Sequence, residues 1–211
     1  MKNIAVLVSG GGTNMQALID AVKNGKITNG QITLVIASKS EAYALERAKN
    51  NDIATCVINP KEYETREEFT SVIVKTLVEN NIDLVVLGGF MYVLTEEFTT
   101  KFRNRILNVH PALIPSFCGM GFYGLRVHKA VLEAGVKVTG ATVHFVNEIC
   151  DGGAIILQKA IDIKEGDTPE TLQRRVMEEC EWIILAQAVN LLCNDRVTVD
   201  ENNITHISEV K

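Results

Sequence analysis

The stretch that most constrains the fold lies at the N-terminus. Residues 4–8 read Ile-Ala-Val-Leu-Val, an unbroken apolar run. A strand with one wet face alternates apolar and polar residues, whereas an unbroken run is expected of a parallel strand covered on both faces. Ser9-Gly10-Gly11-Gly12-Thr13-Asn14 follows at once, and then Met15, Leu18, Ile19 and Val22 at the spacing of one helical face. Strand, glycine-rich turn and helix in that order present backbone N–H groups at the positive end of a helix dipole. Such an arrangement suits a phosphate.

The alternation continues. Strands are expected at 32–37, 53–58 and 82–88. Helices are expected at 41–50, with Ser40 as cap, and behind Thr65-Arg66-Glu67-Glu68, whose spacing is that of a capping box. Such a chain builds a parallel sheet with helices on both faces, and such sheets bind ligands beyond the carboxyl ends of their strands. The loops after Val8, Leu87 and Val109 are therefore where chemistry is expected. The second half is less regular. It reads as a strand at 105–109, a long loop at 110–124 and a helix at 125–134. Strands at 139–147 and 154–163 follow, joined by a turn containing Asp151-Gly152-Gly153. Thr168-Pro169 opens one long helix whose buried side is expected at Leu172, Val176, Cys180, Ile183 and Leu191, and a terminal hairpin spans 197–199 and 204–206.

Composition removes several classes. With 211 residues, 46% of them hydrophobic and 22% charged, the chain suits one globular domain or at most two small ones. A net charge of −5 disfavours a general nucleic-acid binder. The five cysteines (Cys56, Cys118, Cys150, Cys180 and Cys193) are odd in number and none has CxxC spacing, so neither a disulfide framework nor a zinc knuckle is indicated. A reducing cytoplasm is the simplest setting. The apolar uncharged run 84–95 is too short to span a bilayer, and the N-terminus lacks the pattern of a secretory leader.

Three features can carry chemistry. The glycine loop fits a dinucleotide fold poorly: Met15 stands where Gly or Ala belongs, and strand two ends in Ala37-Ser38-Lys39 with no acid for a ribose. Asn108 and His110, in Asn108-Val109-His110-Pro111, point to one side of a strand end, where an amide and an imidazole can stabilise a developing oxyanion. His144 lies on a later strand, and Asp151 in the turn beyond it can orient an imidazole or move a proton. Taken singly, each has a plainer reading as a tight turn, a structural histidine or an Asp-Gly turn.

Taken in order, these segments resemble a known family. Ser9-Gly10-Gly11-Gly12-Thr13-Asn14-Met15-Gln16, Gly88-Gly89-Phe90-Met91, Asn108-Val109-His110-Pro111-Ala112-Leu113-Ile114-Pro115 and Thr142-Val143-His144-Phe145-Val146 with Asp151-Gly152-Gly153 are similar to the signature of the phosphoribosylglycinamide formyltransferases, the folate-dependent formyltransferases of purine synthesis. The match covers nearly the whole chain. The resemblance implies a single-domain Rossmann-like α/β fold over 1–211, with a mostly parallel twisted sheet and an antiparallel C-terminal part. Residues 1–100 would form a phosphate- and ribonucleotide-binding half, and 101–211 a catalytic and folate-binding half.

The resemblance also implies roles. Asn108, His110 and Asp151 would be catalytic; Gly12, Thr13 and Asn14 would hold the phosphate of phosphoribosylglycinamide; and Glu181 would hold its ribose, although the local spacing there differs by one residue. Arg66, Met91, Tyr92, Val93 and Leu94, with Asn108, would contact the co-substrate 10-formyltetrahydrofolate, and His144 would stand behind the catalytic groups. No metal, nucleic acid or membrane is implied, and the enzyme would be a cytoplasmic monomer or homodimer. The departures are Tyr92 where some members carry Arg, a longer loop at 118–124, and Ala186 where Pro is common. The expected reaction is direct amine attack on the formyl carbon through a tetrahedral intermediate. Related formyltransferases and hydrolases of the same folate carry extra domains that 211 residues do not accommodate. A nicotinamide-binding protein is the rival of a different class.

Overall fold

The computed structural model describes residues 1–208; residues 209–211, the last of the expected domain, lie outside the described residues. The chain divides into two compact units, one ending at Asn108 and one beginning at Val109.

The first unit holds β1 (Lys2–Val8), α1 (Thr13–Lys23), β2 (Gly30–Ala37), α2 (Tyr43–Lys49), β3 (Ala54–Val57), α3 (Arg66–Glu79), β4 (Leu84–Leu87) and α4 (Glu96–Lys101). It also holds the start of β5 (Ile106–His110). The strands lie in the order β3-β2-β1-β4-β5, and every pair is parallel. Residues Ile4 to Val8 are 0% exposed, as the unbroken apolar run requires of a strand covered on both faces. The strand order reverses where β1 meets β4, and the loops leaving the carboxyl ends of these two neighbours therefore emerge side by side.

Two local expectations fail here. Ser40 does not cap α2. The helix begins at Tyr43 with Ala42 before it and no side-chain cap, and the Ser40 hydroxyl instead donates to Glu41 Oε1. At α3 the Thr65 hydroxyl accepts the Glu68 N–H as expected. The Glu68 carboxylate takes the N–H of Glu64, so the box does not close on Thr65 itself. The short α4 was not foreseen, because six residues bearing one large apolar side chain, Phe98, show no helical stripe.

The second unit holds α5 (Leu125–Glu133), β6 (Val138–Phe145), β7 (Ile155–Asp162), α6 (Pro169–Val176), α7 (Trp182–Cys193), β8 (Val197–Val199) and β9 (Thr205–Ile207). β6 and β7 pair antiparallel with an irregularity at Val143/His144, and β8 and β9 form the terminal hairpin. The start of α6 carries a reciprocal box, with the Thr168 and Thr171 side chains each accepting the other's backbone N–H.

The long final helix is not uniform. A π-helical turn, Met177–Glu181, joins α6 to α7. It corrects the expected buried side: Leu172, Val176 and Cys180 are buried, but Ile183 is 40% exposed, and the buried set resumes at Ile184, Ala188 and Leu192. A π turn accommodates one extra residue, so the apolar face is carried at intervals of four where an unbroken α-helix would drift away from it.

Candidate active site

In the first unit the glycine loop follows β1. Gly12 precedes α1 in left-handed backbone, φ +70°, and a Cβ there would stand 2.6 Å from the Ala44 Cβ, so both conformation and space require glycine. Gly12 is buried, Thr13 exposed and Asn14 between the two. The loop is tied to its neighbours through Ser9. The Ser38 hydroxyl donates to Ser9 Oγ (2.8 Å), and the Met91 N–H donates to the same oxygen (3.1 Å). One hydroxyl thus joins the ends of β1, β2 and β4 where the strand order reverses.

The segment after β4 carries the residues expected on the folate side. Met91, Tyr92 and Val93 are exposed and Leu94 is half-buried. Tyr92 packs edge-on against Phe69 (5.8 Å between centroids) and beside Phe90 (5.7 Å), while Phe69 and Phe90 stack. Arg66 opens the helix one turn before Phe69. It is exposed and makes a 3.6 Å ion pair with Glu67, which is also exposed.

The second unit brings His110, His144 and Asp151 together. His110 and His144 are buried. Asp151 sits in left-handed backbone, φ +57°, and its carboxylate faces both rings: Oδ2 lies 3.5 Å from His110 Nδ1, and Oδ1 lies 3.6 Å from His144 Nε2. The Gly119 N–H donates to Oδ2 (2.8 Å). Both rings are turned by backbone carbonyls on their far sides. His110 Nε2 lies 2.8 Å from the Phe117 oxygen, and His144 Nδ1 lies 2.7 Å from the Phe145 oxygen. A carbonyl oxygen only accepts, so those two nitrogens carry hydrogens. The remaining nitrogen of each ring faces the carboxylate, so one carboxylate lies between two imidazoles.

Charge and burial compete at this cluster. Burial is the largest influence on Asp151 and pushes its carboxyl up. The His144 ring, the Gly119 N–H and the His110 ring together outweigh burial and hold it below the usual aspartate range. Burial lowers the His110 imidazole below its ordinary value, although Asp151 and the Phe117 carbonyl oppose the shift.

The surroundings explain the local sequence. A Cβ at Gly153 would fall 1.8 Å from the Phe145 oxygen, so only glycine lets the Asp-Gly-Gly turn close against the end of β6. Thr142 is fully buried: its hydroxyl donates to the Ala112 oxygen (2.7 Å) and accepts from the Ile114 N–H (3.1 Å) and from Gln158 Nε2 (2.9 Å). It therefore pins the loop that follows His110. Asn108 is half-buried, two residues before His110 on β5 and on the same side of that strand. Glu181 is buried at the end of the π turn. Among the described residues no group of three His, Cys, Asp or Glu is arranged to hold a metal ion.

Several contributors were not evident in the sequence. The Phe117 carbonyl, the Gly119 N–H and the Ser9 hydroxyl act through backbone geometry or a single small side chain. The only available signal was the length of the Gly- and Pro-containing loop. His128 is fully buried, neither ring nitrogen has a hydrogen-bond partner among the described residues, and burial followed by the nearby His110 lowers it to about 4.

A family model described as Formyl transferase matches residues 2–189. The phosphoribosylglycinamide formyltransferase of Haemophilus influenzae is 40% identical over 202 residues, covering 96% of this chain and 92% of that protein. The trifunctional purine biosynthetic protein adenosine-3 of Gallus gallus is 44% identical over 198 residues. The chain spans only 19% of the length of that relative. A crystal structure of glycinamide ribonucleotide transformylase 1 from Symbiobacterium toebii matches with a TM-score of 0.93 at 39% identity, covering 99% of this chain and 95% of that one.

Proposed function

The chain belongs to the formyl transferase family, and from that membership we propose that it transfers the formyl group of 10-formyltetrahydrofolate to the amine of phosphoribosylglycinamide in purine biosynthesis. The products are formylglycinamide ribonucleotide and tetrahydrofolate. The observation that carries the reading is the Asp151 carboxylate held by two imidazoles whose far nitrogens are fixed by carbonyls.

The reaction forms a C–N bond to the substrate amine and breaks the C–N bond to the folate N10. In between, the formyl oxygen carries negative charge. Asn108 and His110 donate to that oxygen, the more strongly when His110 is protonated. The amine gives up one proton and N10 takes one up. Asp151 arranges this exchange and holds a proton on His110, while His144 fixes Asp151 from its other side. For His110 to serve as donor it must turn its Nε2 hydrogen away from the Phe117 carbonyl.

Gly12, Thr13 and Asn14 hold the ribonucleotide phosphate at the start of α1, and Glu181 takes its ribose. The exposed apolar residues Met91, Tyr92 and Val93, with Leu94 and the adjoining aromatic cluster, suit a flat heteroaromatic ring, and Arg66 suits a carboxylate. Residues 1–211 act as one formyltransferase domain, a monomer or homodimer without a metal. The five free cysteines support a cytoplasmic setting. No helix of the described residues is long and apolar enough to cross a membrane.

The test is a formyl-transfer assay with both substrates, following tetrahydrofolate release by absorbance. Turnover that needs both substrates is expected. Folate turnover that ignores the ribonucleotide would overturn the acceptor assignment.

A further inference from the structure

We infer that Arg47 is a positioning residue for the reaction: from behind the glycine loop it fixes the peptide planes so that their N–H groups face the phosphate. The inference rests on the assignment of that loop to the ribonucleotide phosphate and adds a residue from a different helix.

Two carbonyls of the loop are held from the α2 side. The Gly10 oxygen accepts the Ala44 N–H (3.2 Å), and the Gly11 oxygen accepts Arg47 Nε (2.9 Å). Both residues lie on α2, one helical turn apart. The peptides after Gly10 and Gly11 are trans, and in a trans peptide the C=O and N–H point in opposite directions. Holding the two oxygens toward α2 therefore turns the N–H groups of Gly11 and Gly12 away from it. Successive N–H groups turned to one side at a helix start make an anion-binding concavity.

Arg47 is itself held. Its guanidinium lies 5.0 Å from the centre of the Tyr43 ring, and Nη1 reaches Gln16 Oε1 at 3.4 Å on the first turn of α1. Gln16 is in turn oriented by its own bond to Asp20 (2.9 Å). One planar group thus spans the loop and the helix the loop enters, which a single-point ammonium cannot do as well. The positive charge adds to the attraction for an anion. The loop cannot settle differently against α2, because Gly12 already stands against Ala44 with no room for a Cβ.

Arg47→Met and Arg47→Lys in the full chain test this. In Arg47→Met the KM for the ribonucleotide and the inhibition constant of inorganic phosphate rise together, each about tenfold, the scale of one lost charge-assisted hydrogen bond. Turnover at saturation and the KM for 10-formyltetrahydrofolate stay within about twofold, because Arg47 touches no reacting atom. Arg47→Lys, which keeps the charge but not the planar two-point hold, recovers only part of the phosphate affinity. An unchanged ribonucleotide KM in Arg47→Met overturns the inference. So does a parallel loss of turnover and folate affinity, which marks general loosening. If Arg47→Met fails to fold, Gln16→Leu removes the other anchor of the guanidinium and is expected to raise the ribonucleotide KM by about threefold; no change there overturns the inference equally. Calorimetric titration of wild type and variants with inorganic phosphate needs no turnover. It tests Arg47 even if the wild-type enzyme fails to formylate the ribonucleotide, a result that would count against the proposed function alone.

Discussion

The glycine loop and the Asp151 cluster solve opposite problems. On the proposed reading the loop presents backbone to an incoming charge, and its rigidity comes from neighbours: Ala44 beneath Gly12, and the Ser9 hydroxyl joined to Ser38 and Met91. The cluster removes three ionisable side chains from water and fixes them with carbonyls and one N–H. Backbone donors at a helix start hold charge without titrating, whereas buried imidazoles and a carboxylate titrate and can pass a proton. On the proposed reading, phosphate binding falls to groups that never change charge, and proton transfer to groups that do.

The sharpest way to break this division is at Asp151. Asp151→Asn keeps the shape and removes the charge. Turnover is expected to fall by about 10²- to 10⁴-fold, the range for a lost acid–base group, with little change in ribonucleotide binding. Steady-state kinetics check it, and near-normal turnover would mean the cluster is structural. The complementary change is Thr13→Asp, which sets a carboxylate beside the phosphate from an exposed position at the start of α1. Like charges so placed cost several kcal/mol, so the ribonucleotide KM is expected to rise roughly 100-fold. A KM that barely moves would mean the phosphate binds elsewhere.

A smaller effect separates the titrating region from its surroundings. His128 is lowered to about 4 in the folded protein against 6.5 for the ordinary group, so the unfolded chain binds its proton first as pH falls. Stability from keeping His128 neutral is full above 6.5 and is lost between 6.5 and about 4, amounting to about 3 kcal/mol. His128→Leu should flatten the fall of Tm across that window, and an unchanged slope would show that other groups set it. The smallest effect concerns support. Thr142→Val leaves the Ala112 oxygen and the Ile114 N–H without their partner, at a cost of about 1–3 kcal/mol in denaturant unfolding. If Thr142 holds the loop after His110, turnover drops with stability; unchanged turnover would limit it to the fold.

The two regions also differ in how far the sequence foretells them. The Ile4 to Val8 run, the glycines behind it and the helical stripe are local patterns, and the structure follows them closely. Asn108, His110 and Asp151 stand out only as members of a motif set. Nothing in their spacing says that Phe117 and Gly119 would turn backbone toward the rings and the carboxylate, because that depends on a loop folding back. Ser40 has the right side chain but not the right place, because a cap is defined by where the first turn starts, and Tyr43, not Glu41, starts it. The buried side of the last helix was misread because helical periodicity assumes 3.6 residues per turn throughout, and the π turn at Met177–Glu181 breaks that count.

That turn has a consequence for how the gene can change. Removing a single codon within Met177–Glu181 would let the backbone relax into ordinary α-helix, a change the local hydrogen bonding would favour. Every residue from Trp182 to Cys193 would then keep its face, because the π turn already holds one residue more than an α-helical turn in the same place. Ile184, Ala188 and Leu192 would stay in the core, while Glu181, within the turn itself, would be re-aimed. A one-residue deletion is therefore absorbed at this turn, whereas the same deletion elsewhere along the helix would rotate everything after it by about 100° and shift it by about 1.5 Å.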